Sequence, residues 1–511
     1  MSLKMIWIDY CENGSIHGLR HVVQKNGRSW ERFLWILLLI IASIIIIVLV
    51  SSSWEKYSYS LMEVVIDNPR YPLNYIDFPA VTICPINKIM YSKALSLVLN
   101  KYSNDSDMKT KWSNSLQVFG RMRFPQNTNL HFFLQNRSVV HIPLDDISDI
   151  MLKLAPTIED IFHKCFWRGI AYRCVDILRF QRTEEGFCYS FNSKTAKRNI
   201  KVDNIINPPF IGKEGELFPI RNNAAGERTG LKLVMYNMSN EFFPDDERRR
   251  GYNVMVHTPE TFPDVSTGYK LHAAHDRIYR ISVSVAQVKA DDSLNRLSKH
   301  NRYCYMYGAK TMDDLPEFAS ENEDTCYSDC RLKTVYDKCN CTQYFFEPYK
   351  GLGTHCGIQH IPCLIVNDVI QRNPTAPIDE PGFFEWSIPV SMNCSCPSPC
   401  SFIEYTTELQ HDVRSFINTK VLSTRYMVDV EVNYRELFAT SYRRSMKYNT
   451  QDLLVSFGGV ASLFLGCSLV SIVEIFYVIY KTSVELLQKH CCETCYMEES
   501  DSETPQHPFT N

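Results

Sequence analysis

The stretch LLVSFGGVASLFLGCSLVSIV, Leu453–Val473, carries no charge and then runs past Glu474 to Tyr480. It is long enough to cross a bilayer core. Small residues interrupt it at Gly458, Gly459, Ser462, Gly466, Cys467, Ser468 and Ser471. A lipid-facing anchor has no need of them; in membrane helices they mark close helix packing or a lined cavity. A second apolar block lies near the other end, from Phe33 to Val50, with Ser43 as its one polar residue. Eighteen helical residues rise roughly 27 Å, near the thickness of a bilayer core. The segment before this block is long, no small-residue cleavage site follows it, and Ser51-Ser52-Ser53-Trp54 reads as an interfacial exit. That argues for a retained span over a cleaved signal peptide. Two spans place both termini on one side. Lys4, Arg20, Lys25, Arg28 and Arg32 against Asp9, Glu12 and Glu31 give that side a modest positive bias.

The cysteines orient the chain more firmly. Of 19, fourteen lie between the two blocks: Cys84, Cys165, Cys174, Cys188, Cys304, Cys326, Cys330, Cys339, Cys341, Cys356, Cys363, Cys394, Cys396 and Cys400. An even, clustered set reads as an oxidised extracellular framework. Zinc modules would need paired C-x2-C knuckles, which this middle region lacks. Cys11, Cys467, Cys491, Cys492 and Cys495 fall in or inside the membrane and read as free thiols. Sequons at Asn104, Asn136, Asn237, Asn340 and Asn393 suit an exported segment and are the glycosylation candidates. Cys326 and Cys330, four apart, share one helix face with a rise of about 6 Å. Cys394 and Cys396, two apart, would share one strand face at about 6.6 Å. A helix laid on a strand would therefore carry two stacked bridges. Cys339 and Cys341 would reach Cys363 and Cys356 in the same way. Spacing leaves open which way round each pair is joined.

The chain thus divides into a cytosolic arm (1–32), a first transmembrane helix (33–53), a Cys-rich extracellular domain (54–445), a second transmembrane helix (452–480) and a cytosolic tail (481–511). Lys232 to Val234, Ile278 to Val288 and Val428 to Tyr434 alternate like strands, and 326–400 is expected to hold a helical arm. The expected fold is α+β on a β core. Asp245-Asp246-Glu247 against Arg248-Arg249-Arg250 reads as a solvated loop. A net charge of −3 and the lack of a long basic run argue against a nucleic-acid partner. No Gly-x-Ser-x-Gly, His-Glu-x-x-His or Gly-x-x-x-x-Gly-Lys element supports an ectoenzyme, and no resident cofactor or metal is expected. A receptor or adhesion protein would not need a polar, Gly-rich second span. A channel would.

Specific elements carry a resemblance. The arm has Ile16-His17-Gly18; the start of the ectodomain has Phe78-Pro79-Ala80-Val81-Thr82-Ile83-Cys84-Pro85. Cys394-Ser395-Cys396-Pro397-Ser398-Pro399-Cys400 follows, then Gly458-Gly459, Gly466-Cys467-Ser468 and Glu474. In this order and at these spacings the chain resembles the degenerin/epithelial sodium channel superfamily, insect pickpocket subunits above all. ATP-gated purinergic channels share two spans and a Cys-rich ectodomain, but their cysteine and pore patterns differ. The resemblance implies a plasma-membrane trimer, of one chain or with related subunits, around a sodium-preferring, amiloride-blocked pore opened by an external stimulus. It makes Gly466, Cys467 and Ser468 the selectivity filter and His17-Gly18 the gating motif. It also implies the bridges Cys84–Cys188, Cys165–Cys174, Cys304–Cys400, Cys326–Cys396, Cys330–Cys394, Cys339–Cys363 and Cys341–Cys356.

The chemistry suits those roles. A permeating ion needs oxygen dipoles in place of its water. Gly466 lets backbones approach, so its carbonyl and those of Cys467 and Ser468 would line a constriction between copies. Gly459 and Ser462 belong to the same pore. Glu474 is costly within a membrane segment and would concentrate cations at the inner mouth. Two departures argue against proton gating of the acid-sensing type: Tyr57-Ser58-Tyr59-Ser60 replaces a His pair, and Leu364-Ile365-Val366-Asn367-Asp368 offers one carboxylate where several are usual. Val455 stands at the degenerin position, three before the paired glycines, where a small side chain is usual. Cys491, Cys492 and Cys495 are candidates for palmitoylation or plain cytosolic thiols.

Overall fold

The structure is a computed structural model. It describes residues 3–500 except 25–27, 60–61, 103–104, 124–127, 136, 144–146, 197–218, 247, 249, 264–268, 273–276, 298–301, 303, 307–322, 347–353, 374–390, 393, 395, 397 and 414–426. Asn104, Asn136 and Asn393 lie outside the described residues. The chain forms two units, Val64–Arg444 and the two ends, Met1–Glu63 with Ser445–Asn511.

The larger unit is built on two sheets. Its strands are β1 (Met62–Pro72), β2 (Ala80–Pro85), β3 (Phe162–Trp167), β4 (Ile170–Tyr172), β5 (Leu178–Thr183), β6 (Gly186–Phe191), β7 (Leu231–Tyr236), β8 (Gly251–His257), β9 (Tyr269–His272), β10 (Arg277–Ala290), β11 (Cys341–Thr342), β12 (Thr354–His355), β13 (Phe402–Val413), β14 (Met427–Tyr434) and β15 (Phe438–Met446). The larger sheet runs β1-β15-β10-β14-β7-β3-β4, with β13 also on β10. β10 organises it. One edge pairs antiparallel with β13 from Arg277↔Val413 to Val288↔Phe402. The other edge takes β14 on its first half and β15 on its second, both parallel. The alternation read at Ile278–Val288 has this cause: Tyr279, Ile281, Val283 and Val285 face the core while their neighbours do not. The second sheet runs β5-β6-β2-β8-β9. Between them Phe78 meets Trp167, Phe191 and Tyr434 edge-on, at centroid distances of 4.8, 6.2 and 5.2 Å.

A second core joins helices to the cysteine-rich arm. The helices Tyr91–Lys101, Ser106–Arg121 and Ile147–Leu154 pack Leu116, Phe119 and Met151 against Phe187, Tyr344, Phe345 and Leu364. The turn between β5 and β6 ties the parts together by charge. Glu184 and Glu185 are both buried there. Glu184 accepts from Arg331 at 3.0 and 3.1 Å, and Glu185 accepts from Arg123 at 3.3 Å, with Lys88 at 3.7 Å.

Within Asp245–Arg250, whose Glu247 and Arg249 lie outside the described residues, Asp245 is exposed but Asp246 is not. Asp246 is 3% exposed. It accepts from Arg248 Nε at 2.9 and 3.0 Å and pairs with Arg121 at 3.2 Å, while Arg248 also donates to the Gly120 carbonyl at 2.8 Å. Burial alone would raise the Asp246 carboxyl, but the hydrogen bonds and charge of Arg248 and Arg121 hold it below the usual carboxylate range. Asp246 and Arg248 thus clamp the end of the helix Ser106–Arg121, which composition alone cannot separate from a wet surface.

Seven disulfides join Cys84–Cys188, Cys165–Cys174, Cys304–Cys400, Cys326–Cys396, Cys330–Cys394, Cys339–Cys363 and Cys341–Cys356. The last five are nested, each inside the one before, with no crossing. Cys326 and Cys330 lie on the helix Glu323–Cys339. Their partners, however, are not in a strand: Cys394 and Cys396 are both irregular, and the isolated bridge Tyr305↔Pro399 lies beyond them. Cys339 and Cys341 do not share a strand face either. Asn340 between them is left-handed (φ 52°), so the chain turns from helix into β11 at that point. Asn340 is exposed, and Asn237 is half-buried with its Oδ1 accepting from the Ser239 backbone at 3.0 Å.

Candidate pore and gating site

The smaller unit contains the apolar segments. The first is one helix, Ser29–Tyr59, long and apolar enough to cross a membrane and extending beyond the block read from composition at both ends. Ser43 does not break it, because its hydroxyl donates back to the Leu39 carbonyl at 2.8 Å. The second segment is not one continuous helix over 452–480. It is two, Thr450–Leu465 and Leu469–Ser500, bent by 75°. The second of these runs into what was read as the tail and carries Cys491, Cys492 and Cys495.

The break has a local cause. Gly466 takes the left-handed conformation (φ 67°, ψ 15°) and ends the first helix. Its N–H donates to the Ser462 carbonyl at 2.9 Å, and that of Cys467 to Ala461 at 3.4 Å. Ser468 then starts the next helix: its Oγ accepts from the Ser471 N–H at 3.2 Å, and Ser471 Oγ accepts from the Ser468 N–H at 3.0 Å. Gly466-Cys467-Ser468 is therefore the whole connection between the helices: the Gly466 and Cys467 N–H groups close the first, and the Ser468 carbonyl accepts from Ile472 at 3.3 Å to open the second.

The arm reaches this break. Helices Leu3–Asn13 and Leu19–Val23 flank a loop in which Gly18 is left-handed (φ 88°). The His17 N–H donates to the Leu465 carbonyl at 3.0 Å. The His17 ring covers Gly466 so closely that a Cβ there would overlap it. Ser15 Oγ donates to Ser471 Oγ at 2.7 Å and lies 2.8 Å from Glu474 Oε2, which also accepts the Ser15 N–H at 3.3 Å. Glu474 is half-buried and holds the arm through Ser15. Ser15 was not singled out from the sequence, and Ser471 was read only as one of the small residues of the second apolar block. The Ser-x-x-Ser spacing of Ser468 and Ser471 was the available signal, since it is a helix-start pattern.

The helix Thr450–Leu465 begins with a capping box of Asn449 and Asp452, and Ser456 Oγ lies 3.2 Å from Ser53 Oγ of the first long helix. Leu453, Phe457, Val460 and Phe464 are half-buried. Val455, Gly459, Ser462 and Gly466 follow one another by four, three and four residues and so share a face. Val455, Gly459 and Ser462 are open on that face, Val455 being 73% exposed, while Gly466 at its end lies under His17. A Cβ on Gly458 or Gly459 would meet nothing within 4 Å, so these glycines do not serve helix packing within this chain. Cys11 is buried and Cys467 half-buried, both as free thiols.

Comparison with known proteins accounts for this arrangement. The sequence signature of the amiloride-sensitive sodium channel family matches residues 10–478. Pickpocket protein 19 of Drosophila melanogaster is 26% identical over 92% of this chain and 89% of its own length. The sodium channel protein Nach of the same species is 23% identical over 93% and 87%. The epithelial sodium channel subunit gamma of Pan troglodytes is 23% identical over 94% and 80%. The chain belongs to the amiloride-sensitive sodium channel family, a family of ion channels. The chain carries seven disulfides in its β-rich larger unit and a long apolar helix near its N-terminus.

Proposed function

We propose that this chain is one subunit of a trimeric, stimulus-gated, amiloride-sensitive channel that conducts sodium across the plasma membrane. Partner subunits are further copies or related chains. Residues 54–445 face outward, both termini face the cytosol, and the bent second segment is the pore-lining span. Gly466, Cys467 and Ser468 form the filter, where copies meeting at the break present backbone carbonyls and a hydroxyl to the ion. The face of Val455, Gly459 and Ser462 lines the path above it. His17 and Gly18 form the gating contact, with Glu474 at the inner side.

One observation supports this reading most strongly: the second apolar segment breaks at Gly466, and the arm binds the break through His17 and Ser15. A passive anchor has no use for an unwound segment in hydrocarbon, since unpaired backbone is tolerated there only against protein or a wet cavity. Any movement of the arm is transmitted directly to the constriction.

The test is whole-cell current from oocytes expressing the chain, alone and with related subunits. Inward current that disappears when sodium is replaced and falls with amiloride is expected. Surface-expressed protein with no such current in any combination would refute the reading. A tag at Asn511 should be reached by antibody after permeabilisation and not before.

A further inference from the structure

Ser15 lies in the bend between the helices Leu3–Asn13 and Leu19–Val23 and is exposed. It is the only serine or threonine from residue 3 to residue 28. Its side chain and N–H hold the arm to the second apolar segment. The Oγ lies 2.7 Å from Ser471 Oγ and 2.8 Å from Glu474 Oε2, and the N–H donates to the same carboxylate oxygen at 3.3 Å. Ser471 is 1% exposed. The docked hydroxyl thus ends against a covered group, and at those distances no larger substituent fits between it and either oxygen.

The docking point does not tolerate added negative charge. Among the described residues Glu474 forms no ion pair, and Ser15 supplies its hydrogen bonds. Arg20 and His21 lie on the next helix, where His21 stacks on Trp35 at 4.5 Å. Asp9 and Glu12, on the chain just before Ser15, are exposed and add to the negative side. A phosphate on Ser15 would carry a charge of about −1.5 to −2, set against a carboxylate with no paired cation.

We propose that Ser15 is a phosphorylation site whose phosphate keeps the arm off the break: a serine kinase that accepts acidic segments modifies the undocked arm, and the phosphate then bars its return beside Glu474. The kinase transfers the terminal phosphoryl group of a nucleoside triphosphate. The bond from Ser15 Oγ to phosphorus forms as the bond to the leaving diphosphate breaks, and the hydroxyl proton goes to the kinase's base. The switch rests on the reading that the arm is cytosolic and the break is the pore constriction. Undocking takes the His17 ring off Gly466 and its N–H off the Leu465 carbonyl, so the modified subunit conducts less.

The experiment expresses the full chain in insect cells with phosphatase inhibitors and maps the tryptic peptide Met5–Arg20, in which Ser15 is the only serine or threonine. Phosphate on Ser15, removed by a protein phosphatase, is expected; a peptide that carries none would overturn the proposal. Docking is read without current, as maleimide labelling of Cys467, next to the glycine that His17 covers. Ser15→Glu should raise that labelling about tenfold, by repulsion from Glu474. Ser15→Ala loses the hydroxyl without adding charge and should raise it about threefold or less. Glu474→Gln added to Ser15→Glu should bring it back to the Ser15→Ala level. Equal labelling of Ser15→Glu and Ser15→Ala would show that charge does not move the arm, and would overturn the proposal. Ser15→Glu should also lower the current at equal surface expression. A chain that conducts in no combination yet keeps the labelling shift would sink the pore reading and leave the arm switch standing.

Discussion

The backbone N–H of His17 donates to the carbonyl of Leu465, the last residue of the helix before the break, at 3.0 Å. That carbonyl would otherwise be an orphan helix end. The arm thus completes the helix terminus next to the proposed filter, and the ring of the same histidine roofs Gly466. Gly466→Ala places a Cβ both in the left-handed region, at about 1–2 kcal/mol, and in the ring's space. It should abolish current at unchanged surface expression. His17→Ala in the same chain should restore part of it by removing the overlap, although the backbone strain stays. Equal current from Gly466→Ala and wild type would contradict the contact.

Ser468 and Ser471 cap one another at the start of the second helix. Ser468→Ala removes an N-cap worth about 0.5–2 kcal/mol and loosens the proposed filter without adding bulk. The expected outcome is a shifted sodium-to-potassium preference, read as a change of reversal potential in bi-ionic solutions. An unchanged reversal potential and unchanged amiloride block would remove Ser468 from the filter.

Val455 is exposed within one chain, on the face shared with Gly459 and Ser462. Nothing in the subunit restrains it, so any crowding comes from neighbouring copies. A β-branched side chain has few rotamers in a helix with which to move aside. Val455→Ala should therefore lower open probability in single-channel recordings. A value that is unchanged or higher, at equal surface expression, defeats the idea that this residue hinders closing.

Arg331→Ala would remove the guanidinium paired with the buried Glu184 carboxylate at the β5–β6 turn. Removing one partner of a buried pair costs about 3–5 kcal/mol. The purified full chain should unfold at a clearly lower temperature, and Glu184→Gln in the same chain should recover much of the loss. A midpoint shift no larger than that of an exposed Arg→Ala change would show the pair to be superficial.

Acid should act through His257. Its Nδ1 faces the Thr258 carbonyl at 2.8 Å and so carries the proton, while Nε2 accepts from Thr82 Oγ1 at 2.8 Å. Burial pushes the imidazole from 6.5 down to about 4, despite hydrogen bonds to Thr258 and Thr261 that favour the charged form. A folded value below the unfolded one means stability fully present above pH 6.5 and lost as pH falls towards 4, in total roughly 3 kcal/mol. Asp160 and Asp246 are held below the ordinary 3.8, so their contribution is lost at lower pH and does not overlap that of His257. The melting midpoint should fall between pH 6.5 and 4, and His257→Asn should flatten that limb. A flat wild-type profile over this window would show the ring to be charged or solvated.

Much of this molecule is written in its periodicities. Alternation in 278–288 placed the central strand because one face of β10 is packed and the other is not. The cysteine split predicted an oxidised middle, and helix spacing put Cys326 and Cys330 on one face. The misreadings share a cause: they depended on what lies across space. Asp246 looked wet because Arg121, 125 residues away, is invisible to local pattern. Cys394 and Cys396 have strand spacing, yet neither residue is in a strand. The bend at Gly466 was foreshadowed by its small residues, but the roles of Ser15 and Ser471 became visible only when the arm was seen folded against the break.

The nested bridges have a consequence for how the chain matures. Read from the amino end, Cys304, Cys326, Cys330, Cys339 and Cys341 open like brackets, and Cys356, Cys363, Cys394, Cys396 and Cys400 close them in reverse order. During synthesis each closing cysteine emerges to find that its proper mate is the most recent thiol still unmatched. A last-in, first-out rule therefore suffices to sort ten sulfurs.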